Sequence, residues 1–534
     1  MARPIVDEMR DPNTPDDVIL RSEAREPVTD PTLGIPVNVD RQGTPRHRLV
    51  TIGDSLTHGF QSGAIFNTDL SYPAIIAWEM GWDNSFRHPA PYGGWGGLPL
   101  NLEYLSRRLE REFGDQIDWW ELSAAVFSIR QFMDDVEDYW ERGRGSVIPN
   151  RKGINHNLAV YGWKLLDIIS RNADTCLAAI QEPKDDLVRQ LVENANERAA
   201  LWVLNSARNE NAQALTPIEA AAALGAEGTL EQGQGDGIET LIILIGANNA
   251  LGSVIELRVA WSGDSSDTNG GNNFTVWRPT HFKAELDQVV AQVKQIRARH
   301  VIWGTVPHVT IAPIARGVGS KVAPGSRYFP YYTYPWINDK DFDPKDDPNI
   351  TEQQARAIDS AIDQYNDDIT DVVKQARQEG RDWYVFETAG LLDRLAARRY
   401  IEDPKSRPDW WTQYELPPAL QMLTPVPDSR FFLSNRRGRT SGGLFSLDGI
   451  HPTTIGYGLM AQELIDIMQR AGVKFYLGDG KSERLGPVRV DFKRLIGLDT
   501  LISDPPRSFG GHLQWLGWLD QNLGIFKRLL KFGN

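Results

Sequence analysis

The sequence predicts an α/β fold whose parallel sheet is covered by helices on both faces. Three observations carry that expectation: five short apolar runs with strand character, helical patterns lying between them, and glycine turns directly after two of the runs. The first run, 47–52, stops at Gly53-Asp54-Ser55, after which apolar residues at helical spacing run through Ala74-Ile-Ile-Ala-Trp78, so strand, tight turn and helix follow one another. The other runs are 117–122, 240–245, 301–306 and 383–387. Between the last two, residues 351–379 set Ala355, Ile358, Ile362, Ile369, Val372 and Val373 on one face of a helix that Gly380 closes.

The spacing of these units is uneven. Residues 122–240 are mostly helical in pattern, notably 158–181 and 187–204, which predicts a helical insertion at about 130–236. A second insertion, 313–350, contains Arg327-Tyr-Phe-Pro-Tyr-Tyr-Thr-Tyr-Pro-Trp336; its prolines and rings suit an ordered loop better than a strand, and the rings either pack the insertion onto the body or line a substrate pocket. Residues 1–46 carry Pro, Asp and Arg without a period and read as an extended arm or a disordered segment. The C-terminal extension, 476–534, ends in an apolar stripe of Trp515, Leu519, Leu523, Phe526 and Leu530 beside Lys527, Arg528 and Lys531. This is an amphipathic helix over 513–532, suited to docking on the protein's own body, to peripheral membrane contact or to homo-oligomer formation, although Gly517 and Gly524 weaken it.

Length alone, 534 residues, suggests three or four domains. With 71 Asp and Glu against 57 Lys and Arg the net charge is −14, which repels phosphate backbones, so nucleic acid is not an expected partner. The lone Cys176 rules out an intrachain disulfide and cysteine-ligated metal clusters. The first residues lack the apolar stretch of a secretory signal, and no apolar run approaches the roughly 18 residues of a membrane span. Cytoplasmic residence is therefore the default, with secretion by another route left open.

Three short segments carry chemistry. Ser55 sits on the turn after a buried strand and at the front of a helix, which raises its hydroxyl out of the sheet next to helix N–H groups; helix capping is the plainer role for the same placement. In Asp448-Gly-Ile-His451-Pro, the carboxylate precedes the imidazole by three positions, close enough to hold the Nδ1 proton and leave Nε2 free to accept one from a serine. In Gly246-Ala-Asn248-Asn249, a strand ends in a glycine turn and presents Asn248, whose amide can donate to a developing oxyanion. His58, on the helical turn after Ser55, and His308, at the end of the run 301–306, are weaker candidates for substrate contact.

Gly53-Asp-Ser-Leu-Thr-His-Gly59, Gly246-Ala-Asn-Asn249 and Asp448-Gly-Ile-His-Pro452, in this order, resemble the SGNH, or GDSL-type, hydrolases over about 48–475. The resemblance implies a single catalytic unit over 47–475 with a flavodoxin-like three-layer αβα sandwich and a five-stranded parallel sheet. It further implies carboxylester hydrolysis on small-molecule or lipid esters, through an acyl-enzyme and without metal or organic cofactor. Ser55 would be the nucleophile, His451 the base and Asp448 its orienting acid. Ser55 and Asn248 would supply oxyanion donors. The family's remaining donor is the backbone N–H of a glycine after the second strand; here Ser128 falls at that place, with Ala125 or a shifted register as alternatives. Asn249 stands where the family has an aspartate. Within this reaction class an interfacial lipase or phospholipase and a carbohydrate acetylesterase are alternatives, and a binding protein on a degenerate hydrolase fold is the non-enzymatic one.

Overall fold

The computed structural model describes residues 9–39, 43–89, 94–115, 117, 120–150, 152–182, 192–227, 237–263, 274–510 and 517. Four strands, β1 (His47–Gly53), β2 (Ile238–Leu244), β3 (Ala298–Gly304) and β4 (Trp383–Phe386), form one parallel sheet in that spatial order. The helices that position the site are α1 (Ser55–His58), α2 (Tyr72–Glu79), α3 (Leu122–Glu141), α4 (Pro279–Val293), α5 (Glu352–Gln378), α6 (Thr388–Leu395) and α7 (Thr454–Arg470).

Side chains alternate across the sheet, as the pleat requires, and each face buries a different helical layer. Val50, Ile52, Leu241, Ile243, Val301, Trp303 and Val385 join Phe282 and Leu286 of α4 and Ile358, Ile362 and Ile369 of α5 in one core. Leu49, Ile242, Leu244, Ile302, Tyr384 and Phe386 join Ile75 and Ile76 of α2 and Ile455, Leu464 and Met468 of α7 in the other. Burial on both faces is why these strands read as continuous apolar runs instead of alternating ones. The helix expected over 351–379 is present as α5: Thr351 and Gln354 form a capping box at its start, and Gly380, at φ 81°, follows its end.

The described residues of the run 117–122 form no strand. Leu122 opens α3, whose Ile129, Phe132, Met133, Val136 and Trp140 recur at three- and four-residue intervals and are all buried, so helical period overrides the local β character. The outer edge of β1 is met instead by residues 156–160. Thr51 N–H donates to the His156 carbonyl (2.8 Å), Leu158 N–H to the Thr51 carbonyl (2.8 Å) and Val160 N–H to the Gly53 carbonyl (3.2 Å), with a parallel bridge between Thr51 and Asn157. The helical pattern over 158–181 is broken accordingly: helices cover only Asp167–Ser170 and Ala173–Ala179. Further on in this insertion lie helices Ala195–Leu204 and Pro217–Glu227.

The aromatic insertion contains a small antiparallel sheet of Arg316–Gly317, Tyr331–Thr333 and Ile350–Thr351, so part of the expected loop is a strand. Tyr328, Phe329, Tyr332, Tyr334 and Trp336 are buried, and the Tyr334 hydroxyl donates to the Ile255 carbonyl (2.7 Å), so these rings fasten the insertion to the body. Residues 9–39 form the extended arm. Val385 N–H donates to the Pro31 carbonyl (3.0 Å), and Arg25 reaches Asp367 (3.0 Å), Glu387 (2.9 Å) and Thr370 (3.1 Å). Of the expected helix over 513–532 only Gly517 is among the described residues, and it lies against the Trp336 ring. Among the described residues no helix is long and apolar enough to cross a membrane.

Gly53 holds the sheet and the site together. Its φ is not left-handed; what demands glycine is space, because a Cβ there would collide with the Thr57 side chain and with the Leu244 carbonyl of β2. Gly53→Ala is expected to cost about 1–3 kcal/mol through overpacking against a backbone that cannot yield. A chemical-denaturation midpoint equal to that of the wild type would contradict this.

Candidate active site

The carboxyl ends of β1 and β2 and the turn before α7 converge on one point. Ser55 is the first residue of α1, so its N–H has no acceptor within the helix. Asp54 caps that helix by accepting from Leu56 N–H (3.1 Å) and also accepts from Ala247 N–H, tying the β1 turn to the β2 turn. Burial pushes the Asp54 carboxyl up to about 7, against the pull of these hydrogen bonds and of His451.

His451 Nε2 lies 2.9 Å from Ser55 Oγ, and His451 Nδ1 lies 2.9 Å from Asp448 Oδ2. All three residues are buried, with Ser55 the most accessible at 3%. Asp448 Oδ2 also accepts from Gly63 N–H (3.0 Å), while Oδ1 accepts from the N–H groups of Ile450 and His451 (2.9 Å each) and from Ser446 Oγ (3.2 Å). Burial alone would raise this carboxyl, but His451 and the N–H donors outweigh it and hold Asp448 below its ordinary value. The Phe60 ring packs against the imidazole at 4.5 Å between centroids, fixing its plane.

Asn248 follows Gly246, which is left-handed at φ 117°, and donates from Nδ2 to the Trp163 carbonyl (2.8 Å); its Oδ1 is buried without a hydrogen bond. Asn249 accepts from Leu165 N–H (3.1 Å) and donates to Glu285 (3.3 Å), so it anchors the same turn, 161–165, from the other side. His58 is buried and accepts from Tyr161 N–H (3.2 Å), and burial pushes its imidazole down to about 3. It is a neutral support for that turn and is not among the residues bordering the cavity described below. Between these ties lies Gly162, left-handed at φ 78°.

Ser128 does not join the site. It lies inside α3, where its N–H is committed to the helical ladder. Gly162 lies in the turn that Asn248 holds through the Trp163 carbonyl and His58 through Tyr161 N–H, and its signal was legible: Leu158-Ala-Val160 is a short apolar run closing on a glycine, the same strand-then-turn pattern as at Gly53 and Gly246.

Ser55 and His451 border an apolar cavity of about 110 Å³, partly open to solvent, whose other walls are mainly Leu56, Leu251, Leu391, Leu395, Leu459 and Met460. His308 also borders it, but both ring nitrogens are taken: Nδ1 by Asp393 (3.1 Å) and Nε2 by Asp363 (3.0 Å), so it offers the cavity ring carbon only. Comparison with family models and with curated proteins finds no match to this chain.

Burial alone would lower the His308 imidazole, but the two carboxylates raise it to about 10. Its ionisation therefore stabilises the fold fully below the unfolded value near 6.5 and is lost as pH rises through about 10. His308→Leu strands two buried carboxylates and is expected to cost about 3–5 kcal/mol at neutral pH. The gap to the wild type, read from urea midpoints, is expected to narrow between pH 7 and pH 10; a constant gap would contradict the ionised pair.

Proposed function

We propose that this chain is a serine carboxylester hydrolase of the SGNH type, acting on esters with an apolar acyl group. The observation that carries the reading is the continuous chain of contacts from Ser55 Oγ through His451 to Asp448, both links at 2.9 Å. On this reading the scaffold is flavodoxin-like, with residues 156–160 in the place of a fifth strand and Gly162 in the place first assigned to Ser128.

In the reaction, Ser55 Oγ attacks the ester carbonyl while His451 Nε2 takes its proton; Asp448, fixed by its hydrogen bonds, holds the tautomer and balances the imidazolium. The oxyanion lies among the N–H groups of Ser55 and Gly162 and the second Nδ2 proton of Asn248, where one good donor supplies about 2.7–4 kcal/mol. The imidazolium then protonates the leaving alcohol, and water activated by the same imidazole releases the acid.

The apolar cavity beside Ser55 favours medium or long acyl chains over acetyl. A carbohydrate acetylesterase that stacks sugars on the aromatic insertion is less favoured, because Tyr328, Phe329, Tyr332, Tyr334 and Trp336 are buried.

Hydrolysis of p-nitrophenyl esters from acetyl to palmitoyl tests the reading. Activity with an optimum beyond acetyl is expected, reduced about 10³-fold or more by Ser55→Ala and about 10²–10³-fold in kcat by Asn248→Ala. No activity at any chain length, or activity that survives Ser55→Ala, would overturn it and favour a binding protein on the same fold.

A further inference from the structure

A second cavity, of about 300 Å³ and partly open to solvent, lies back to back with the first. The two share Ser429, and alternate residues of two segments face opposite ways: Val309 and Ala312 border the first and Thr310 and Pro313 the second, while Leu395 borders the first and Ala397 the second. The Ser429 hydroxyl pins this wall, donating to the Leu395 carbonyl (2.8 Å) and accepting from Ala397 N–H (2.8 Å). The first cavity is apolar, whereas the second is bordered by Arg316, Arg327, Arg398, Arg399 and Arg430 against one acid, Glu402.

Three of these guanidinium groups are spoken for. Arg316 pairs with Asp339, Arg430 with Glu402 (2.7 Å), and Arg399 with Asp359 (2.9 Å) and Thr310 (2.6 Å). Arg327 and Arg398 have no carboxylate within ion-pairing distance among the described residues. Arg327 is 6% exposed; its Nε donates to the Tyr328 hydroxyl (2.9 Å), and its Nη2 is buried with no hydrogen bond. The nearby buried acids are already engaged, Asp359 by Arg399 and Asp363 by His308. Arg398 lies over the Phe329 ring at 5.0 Å, and burial together with its neighbour Arg316 pushes its guanidinium down from its ordinary value. A buried donor left unpaired is costly, and a planar guanidinium is suited to a bidentate oxyanion.

We propose that this cavity binds the phosphate or carboxylate group of a small anionic ligand, gripped by Arg327 from the cavity wall and by Arg398 beside it. The concave shape and a net charge of −14 favour a small molecule over a polyanion such as nucleic acid. The ligand is either a free anion or an ester whose anionic end lies across the Ser429 wall from its acyl group.

Binding is tested on the full chain by calorimetric titration with inorganic phosphate, pyrophosphate and citrate at low ionic strength, using Ser55→Ala so that the result does not depend on hydrolysis. One saturable site is expected. Arg398→Gln, at a half-buried position, is expected to weaken it about tenfold and Arg327→Gln to abolish it, with the exposed Arg489→Gln as the unchanged control. Thermal melting of each variant separates lost binding from lost fold, and Arg398→Gln carries the test if Arg327→Gln does not fold. No saturable binding of any of the three anions, or binding untouched by a folded Arg398→Gln, would overturn the proposal. Where binding holds, phosphate that competes with hydrolysis of an ω-carboxylated p-nitrophenyl ester but not of its neutral counterpart assigns the anion to the substrate. Equal effects on both, or none, assign it to a free ligand.

Discussion

The Asp448 carboxylate is the point on which the site depends. It accepts from the His451 ring, from the N–H groups of Ile450, His451 and Gly63, and from Ser446. Those donors come from two stretches of chain almost four hundred residues apart, the loop after α1 and the turn before α7. A buried charge is tolerable only when its lone pairs are filled, so fixing the carboxylate also fixes the distance between the two stretches. Ser55, one turn of helix before that loop, is thereby set opposite the imidazole.

The rest of the constellation follows from the carboxyl edge of the sheet. β1 and β2 approach so closely at their ends that Gly53 has no room for a side chain, and the Asp54 carboxyl bridges the two turns that follow. The β2 turn in turn holds 161–165 through Asn248 and Asn249, and His58 holds the same segment from α1. Two asparagines and a neutral histidine do this without adding net charge at the carboxyl edge of the sheet.

How far the sequence could be read follows from the same physics. Strands β1 to β4 were legible because burial on both faces makes them unbroken apolar runs, and α5 because one face repeats with helical period over many turns. The Ser55, Asn248 and Asp448–His451 segments were legible because each couples a reactive side chain to a glycine or proline turn within a few residues. Residues 117–122 misled because a short apolar run does not reveal its period; only the continuation through Ile129, Phe132 and Val136 marks a helix. Residues 156–160 were missed because three apolar residues beside a sheet edge resemble the start of the helix behind them, and the Ser128 assignment inherited that error in register. His58 was recognised as close to Ser55, yet its role as an acceptor for Tyr161 N–H depends on a contact about a hundred positions away. No local pattern encodes such a contact.

His308 shows why position at a sheet edge does not by itself identify a substrate contact. The strand end places it on the cavity wall, as the sequence suggested, but two acids from α5 and α6 saturate its nitrogens and convert it from a titrating group into a fixed cation. The same two helices, with the segment that follows α6 and the aromatic insertion that precedes α5, bring Asp359, Arg399 and Arg327 into the adjoining layer, so three acids face three bases in one buried block. A block of balanced charge between the apolar cavity and the arginine-lined one lets their chemistries differ across a thin wall. The acids neutralise His308 and Arg399, whereas Arg327 keeps a buried donor, Nη2, without a hydrogen bond. Charge balance within the block and an unspent donor inside it are thus compatible, because the first is a sum over the block and the second is a matter of the contacts that one edge of a guanidinium makes.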